Sequence, residues 1–326
     1  MKGWLRVRVL LPAALGLLAL AAAVAFYVHS NTGQRADRSF DASVANPAYT
    51  ERRPKVLFDE AHNNFHTANG RYRPFARLIT NDGYEVTANK KVFSGDSLAG
   101  YHVLVIANAQ GAGDDEQRAN SAFTEAECDA VRAWVEAGGS LLLIADHDPM
   151  GSAAERLAQR FGVSFSNGST EDAQRHDPQS SDTSQLVFTR ENGLLADHAI
   201  TRGRSPAEQI NRVMTFTGTS LAGPVEAVAL LRLSEAAVDL APTVKVERKG
   251  GDTFTTVTYE NPTSAAGRAQ GLALEFGKGR VVVLGEAAML TAQLTRDDKP
   301  FGMQVPGIDN RQLALNLMHW LSRLLN

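Results

Sequence analysis

The sequence predicts an α/β fold: a doubly wound, mostly parallel sheet with an added antiparallel β region, preceded by one N-terminal transmembrane helix. Three observations predict it. Short apolar strands alternate with helical segments from Pro54 to about Phe165. Short β segments then follow one another between 211 and 285. Before all of these, a basic flank precedes an uncharged apolar run, Val9 to Val28. Alternating strands and helices bury both faces of a parallel sheet, and runs of strands without helices favour antiparallel pairing.

The N-terminal elements come first. Residues 1–8, "MKGWLRVR", carry Lys2, Arg6 and Arg8 and no acid, and read as a cytoplasmic flank. Residues 9–28, "VLLPAALGLLALAAAVAFYV", have about the length that spans a hydrocarbon core. A cleaved signal peptide and an uncleaved signal anchor both fit this run. Ala21 to Ala25 would suit a cleavage site. The length and the closing Phe26-Tyr27 pair favour the anchor, with everything downstream exported. Residues 29–53 are polar and aperiodic and read as a linker.

The domain is expected over residues 54–326. "KVLFD" is a first strand. "RYRPFARLITNDG" places Phe75, Leu78 and Ile79 on one helical face and stops at Asp82-Gly83. "YEVTAN" is a second strand, and "HVLVIAN" a third, apolar on both faces as a buried parallel strand should be. "FTEAECDAVRAWVEAGG" is a helix with Thr124 and Glu127 spaced as a capping box and Gly138-Gly139 as its stop. "SLLLIADH" is a fourth strand, "SAAERLAQRFG" a helix, and "VSF" a short strand. Residues 167–184 form a polar loop. Residues 211–285 form a β-rich insertion whose last part, "GLALEFGKGRVVVLG", is a hairpin around Gly-Lys-Gly. In "NRQLALNLMHWLSRLL", Leu313, Leu317, Trp320, Leu321 and Leu324 share a face, which makes a closing packing helix.

The formal charge is -3, and three of the 33 basic residues sit in the N-terminal flank, so the remainder is mildly acidic. No basic patch points to nucleic acid. Cys128 is the single cysteine, so the chain forms no internal disulfide and its core must suffice. Cys128 lies between Glu127 and Asp129, two acids that raise a thiol pKa, and reads as structural.

In a doubly wound sheet the site forms at the carboxyl ends of the strands. The first strand ends in a dense polar loop containing Asp59, Glu60, His62, Asn63, Asn64 and His66. The third ends at Asn108, the fourth at Asp146, His147 and Asp148, and the last at Glu286. Arg202, in "HAITRG", lies on a connection that can reach the same side. His62 and His66 have the i, i+4 spacing that on a helix holds a divalent metal, with zinc, manganese or iron suited to a mixed N/O shell. Loop hydrogen bonding and helix capping account for the same residues without a metal. Glu286 is placed as a general base, assisted by Asp146 and His147, or as a cap for the next segment. Asp59, Glu60, Asn63, Asn64, Asn108 and Arg202 are candidate ligand-binding groups. Asp146 and His147 are adjacent, so on an extended strand they would face opposite sides unless the chain turns there.

"AFTEAECDAVRAWVEAGGSLLLIADH" resembles the helix-then-strand core of the class I glutamine amidotransferase-like fold. "GRVVVLGEAAMLTAQ" followed by "DNRQLALNLMHWLSRLL" resembles the closing strand and helix of a bacterial family of unknown function on that fold, related to gliding-type transporter accessory domains. The resemblance covers residues 54–326. It implies a preserved pocket with an acid at Glu286. With the N-terminal anchor, the domain is expected at the bacterial inner membrane, facing the periplasm or exterior. True amidotransferases carry a nucleophilic Cys in the turn after the fourth strand. Here that turn reads "IADHDPMG", which removes that route. Two functions follow as expectations. One is a metal-assisted hydrolase or binder of a small polar or carbohydrate-like envelope ligand. The other is a non-catalytic accessory module of an envelope or transporter complex.

Overall fold

The computed structural model describes residues 34–111, 120–249 and 252–326. The expected basic flank and anchor lie outside the described residues. Among the described residues no helix is long and apolar enough to cross a membrane.

The first half holds strands β1 (Arg35–Ala36), β2 (Lys55–Asp59), β3 (Glu85–Asn89), β4 (Val103–Ala107), β5 (Ser140–Ile144), β6 (Ser164–Phe165) and β7 (Ser169–Glu171). Its helices are α1 (Arg73–Asn81), α2 (Gly95–Leu98), α3 (Glu125–Glu136) and α4 (Met150–Gln159). The second half holds β8 (Val187–Thr189), α5 (Ala199–Arg202), β9 (Arg212–Met214), β10 (Leu221–Ala222), β11 (Val228–Arg232), β12 (Val238–Lys249) and β13 (Asp252–Ser264). It closes with β14 (Ala269–Phe276), β15 (Gly279–Leu284), β16 (Ala292–Leu294), β17 (Pro300–Gly302) and α6 (Asn310–Leu321).

The main sheet runs β3-β2-β4-β5-β15-β14-β10-β6, with β11 also paired to β14. The first five strands are mutually parallel, and the others join antiparallel. The expected closing hairpin is β14–β15, paired from Gly271↔Leu284 to Phe276↔Gly279. Within the β-rich segment, β10, β11, β14 and β15 extend the same sheet. Two parts do not: β9 pairs with β8 in a separate two-stranded sheet, and β12–β13 form a long hairpin that meets the three-residue β7 at its base.

Strand alternation divides the core between the two faces. Phe58, Val105, Ile144 and Val282 point toward α1 and α6, while Leu57, Ile106, Leu143 and Val283 point toward α3 and α4. The capping box of α3 forms as the spacing requires, with Glu127 N donating to Thr124 Oγ1 and Thr124 N donating to Glu127 Oε2.

The linker expectation over 29–53 needs correction from Gln34 onward. β1 pairs with β16, and Ala42 is buried in the core. Tyr49 N donates to Asp82 O, and Ala48 N donates to Asp82 Oδ1 at 2.8 Å. Gly83, at φ +101°, ends α1 where an added Cβ would lie 1.9 Å from Tyr49 O. Short local turns satisfy much of the backbone, for example Ser39 N to Asp37 Oδ1 and Ser43 N to Asp41 Oδ1. Such turns have no hydrophobic period, so the segment reads as a linker although it packs.

Asp82 also accepts a 2.6 Å hydrogen bond from His319 Nε2 of α6, and both side chains are about 1% exposed. This one carboxylate joins the N-terminal segment, α1 and α6. Asp82→Ala should therefore lower the unfolding free energy by about 3 kcal/mol, because it strands a buried donor. Urea melts measure the loss. Limited proteolysis should show faster cleavage within residues 34–53, whereas an unchanged cleavage rate would refute the tethering role.

Candidate functional site

The sheet reverses its winding between β2 and β4, because the chain runs from β2 outward to β3 and then back to β4 on the other side. The crevice expected at such a point is present at the strand carboxyl ends. It is a cleft of about 320 Å³ whose lining includes His66, Asn108, Asp146, His147 and Glu286. Phe65, Phe216 and Phe301 give it apolar walls, and Arg71 and Gln293 also face it.

Asn108 organises the centre. It takes a left-handed backbone, φ +48°, which an Asn tolerates better than most residues. That conformation lets its side chain form two bonds to one residue: Asn108 Nδ2 donates to Asp146 Oδ2 at 2.7 Å, and Asp146 N donates to Asn108 Oδ1 at 3.0 Å. Asp146 Oδ1 also accepts from Ala287 N at 2.7 Å. Glu286 is 1% exposed and accepts from Ala288 N at 2.8 Å and Met289 N at 2.7 Å. It is thus both a cap for the 3-10 turn at 288–290 and a cleft residue.

Asp146 and Glu286 form an interacting acid pair. Burial raises Asp146, with His147 and the Asn108 bond acting against it. Burial raises Glu286 well above the carboxylate range, and the charge on Asp146 raises it further. Two carboxylates that interact in a low dielectric titrate as a pair rather than singly. Tyr72 lies beside them, fully buried, and donates to Ala287 O at 2.7 Å. Its own pKa is raised well above the usual tyrosine value by burial and by both acids.

His147 lines the cleft together with Asp146 because β5 ends at Ile144 and the chain turns directly after it. Tyr259, from β13, lies with its hydroxyl 2.5 Å from His147 Nδ1. Asp146 does not cap the following helix, α4. Asn167 does this instead, accepting from Ser152 N at 3.0 Å.

The two histidines do not form a metal pair. The segment carrying them is not helical, so i, i+4 spacing does not align the rings. His62 Nδ1 meets Asp59 at 2.9 Å and its Nε2 meets Glu127 at 2.8 Å. Its ring packs between Phe93 and Phe123 on the α3 side of the sheet. His66 instead packs on Tyr72, whose ring belongs to the opposite core. With both nitrogens of His62 engaged, the donor set does not fit zinc, manganese or iron. Among the described residues no group of three or more His, Cys, Asp or Glu is arranged for a metal ion.

The remaining first-loop residues mostly build the loop. Asn64 donates to Asp59 and accepts from His62 N. Glu60 accepts from Ala68 N and pairs with Lys90. Asn63, at φ +53°, donates to Gly111 O. Arg202 does not reach the cleft. It pairs with Asp197 and lines a separate cavity beside His198 and Trp320.

Two polar groups in the cleft stand out. His66 is 3% exposed, and its Nδ1 has no hydrogen-bond partner among the described residues. Burial and Arg71 push its pKa down to about 3, so the ring is neutral. Gln293 is 1% exposed, and its Oε1 is likewise without a partner. Sequence reasoning missed Tyr72, Gln293, Arg71 and Tyr259. Tyr72 and Arg71 precede a helix and Tyr259 lies mid-strand, positions where such residues are ordinary. The only signal for Glu127 was its capping role, which concealed its bond to His62.

The Asp59–His62–Glu127 chain fixes the loop's stability against pH. Burial lowers His62, but the two carboxylates outweigh it and the net shift is upward from 6.5. Burial raises Glu127, but bonds from His62 and Thr124 bring it from 4.5 down to about 2. A raised histidine contributes stability below its unfolded value and loses it as pH rises through the folded one. A depressed carboxylate contributes above its unfolded value and loses it as pH falls. The pair is therefore fully effective between 4.5 and 6.5. Glu127→Gln should cost about 3 kcal/mol in that window and less at either extreme. Denaturant melts across pH check this, and a cost independent of pH would show that the pair is not ionic.

No protein-family model matches the chain, and no curated protein matches it. Solved structures do. A ThuA-like protein from Bacteroides uniformis has a TM-score of 0.42 at 15% identity, with 85% of this chain and 95% of that one covered. A GMP synthase component from Thermoplasma acidophilum has a TM-score of 0.41 at 11% identity, over 84% and 97%. The mmIFT52 N-terminal domain aligns with a TM-score of 0.56 at 15% identity, over 82% of this chain and 97% of that one, and with it this chain shares an α/β fold.

Proposed function

We propose that the cleft binds a small, hydroxyl-rich polar ligand of carbohydrate type, and that Asp146 and Glu286 act on it as an acid–base pair in a hydrolytic reaction. The observation that carries this reading is that Asp146 and the buried Glu286, both with raised pKa, line one cleft that also presents two unpartnered polar atoms. A buried polar atom without a partner costs free energy unless a ligand or water supplies one. The His66 ring and Gln293 Oε1 offer a donor-or-acceptor and an acceptor, which suit hydroxyl groups. Phe65, Phe216 and Phe301 supply the apolar surface that a sugar ring face can cover. In the reaction the protonated member of the pair gives its proton to the leaving oxygen, and the ionised member takes one from the attacking water.

The rival reading is an accessory module that binds without turnover. It is favoured by the way Asp146 and Glu286 both accept backbone N–H bonds, a use that stabilises the fold by itself. In either reading the domain is extracytoplasmic and held at a bacterial inner membrane through residues 9–28. The support for that is the basic flank and the uncharged apolar run.

Two experiments test these statements. The full chain is assayed against nitrophenyl glycosides and sugar esters, with Asp146→Asn and Glu286→Gln as variants. Turnover that falls at least 100-fold in both, with sugar binding retained, supports the acid–base role; sugar binding without turnover in the wild type assigns the accessory role instead. Carbonate extraction of membranes should leave the full chain in the pellet, whereas release to the supernatant removes the anchor.

A further inference from the structure

The cleft continues past Arg71 and Gln34 into an open groove of about 900 Å³, bounded by both residues and by Arg35, Arg38 and Arg73. The charge balance of this groove is unusual for a mildly acidic chain. Arg35 is paired with Asp298. Arg38, Arg71 and Arg73 have no carboxylate partner among the described residues. Asp37, the acid in the groove, is occupied by Ser39, whose backbone N and Oγ both donate to its Oδ1.

Arg71 is the telling member. Its guanidinium stacks over Phe65 at 4.5 Å and is half-buried, and burial lowers its pKa. A desolvated guanidinium without an anion carries an unmet electrostatic demand. α1 adds to it, because Arg73 is its first residue, Tyr72 makes no side-chain cap bond, and its first turn has no acidic residue.

We infer that this groove is the anion subsite of the cleft, and that the ligand is a phosphorylated sugar or polyol whose phosphoryl group sits among Arg38, Arg71 and Arg73 while its hydroxyls reach Asp146 and Glu286. The hydroxyl half of this assignment rests on the proposed function; the anion half does not. Three unpaired guanidinium groups match a dianionic phosphoryl group better than a monoanion, since each fork can take two oxygens.

Isothermal titration of the full chain with inorganic phosphate, glucose 6-phosphate and glucose tests it. Glucose 6-phosphate should bind at least tenfold more tightly than glucose, and Arg71→Gln should remove about tenfold of that affinity. Arg38→Gln, at an exposed position that leaves folding intact, should remove a smaller factor of about three and weaken the salt dependence. Equal affinity for glucose and glucose 6-phosphate, or full affinity in folded Arg71→Gln and Arg38→Gln, overturns the subsite. Arginine-dependent phosphate binding with no gain from the sugar, unchanged by Glu286→Gln, supports the subsite and defeats the hydroxyl-binding cleft instead.

Discussion

The arrangement of the site depends on the reciprocal pair between Asn108 and Asp146. One amide both receives the Asp146 backbone N–H and donates to its carboxylate. The Asn108 backbone extends the reach: its N–H donates to Ile144 O, and its carbonyl accepts from Phe65 N. The loops after β2, β4 and β5 are thereby fixed to one another at the point where the winding reverses. Asp146 carries the connection to the loop after β15 through Ala287 N. Four strand ends thus share one buried hydrogen-bond system, and a slip at Asn108 would disturb every group in the cleft.

The same residue types do opposite work on the two sides of the sheet. Toward α3, Asp59 and Glu127 engage the two ring nitrogens of His62 among Phe93 and Phe123 and raise its pKa. Toward α1 and α6, Asp146 and Glu286 line one cleft with a neutral His66, and no ion pair cancels them among the described residues. A paired histidine stabilises a loop, while an acid pair that repels remains sensitive to whatever enters the cleft. The most conspicuous stretch of sequence, from Asp59 to His66, mostly serves the first purpose. Of its polar residues, His66 is the one that lines the cleft.

Strands and helices were legible because burial imposes a period. Continuous apolar runs marked β4 and β5, and the Thr124–Glu127 spacing marked the start of α3. Topology then placed Asn108, Asp146, His147 and Glu286 at one edge, and the cleft lies there. Illegible were features set by turns and by distant pairing. The segment from Gln34 to Arg53 packs through Asx-type turns and through Asp82, neither of which leaves a periodic trace. "TVKVE" and "TFTTVTYE" join into β12–β13, whose length depends on register, from Val238↔Ser264 to Lys249↔Asp252. Asn310, an unremarkable helix start in sequence, is fully buried and bonds to both Met214 N and Met214 O, tying α6 to β9. The HxxxH spacing misled because it presumes a helix, and the backbone there is committed to loop hydrogen bonds.

Charge placement around the cleft follows from that division. Arg71 stands between the acid pair and the arginine groove, yet no ion pair joins it to Asp146 or Glu286 among the described residues. Had it paired with either acid, the carboxylate would be ionised and the guanidinium satisfied, and neither side would need a ligand. The guanidinium lies instead over the Phe65 ring, at 4.5 Å. Phe65 is in turn placed by its N–H bond to Asn108 O. The residue that aligns Asp146 therefore also positions the aromatic ring on which Arg71 stacks, where the cleft with its two acids meets the arginine groove.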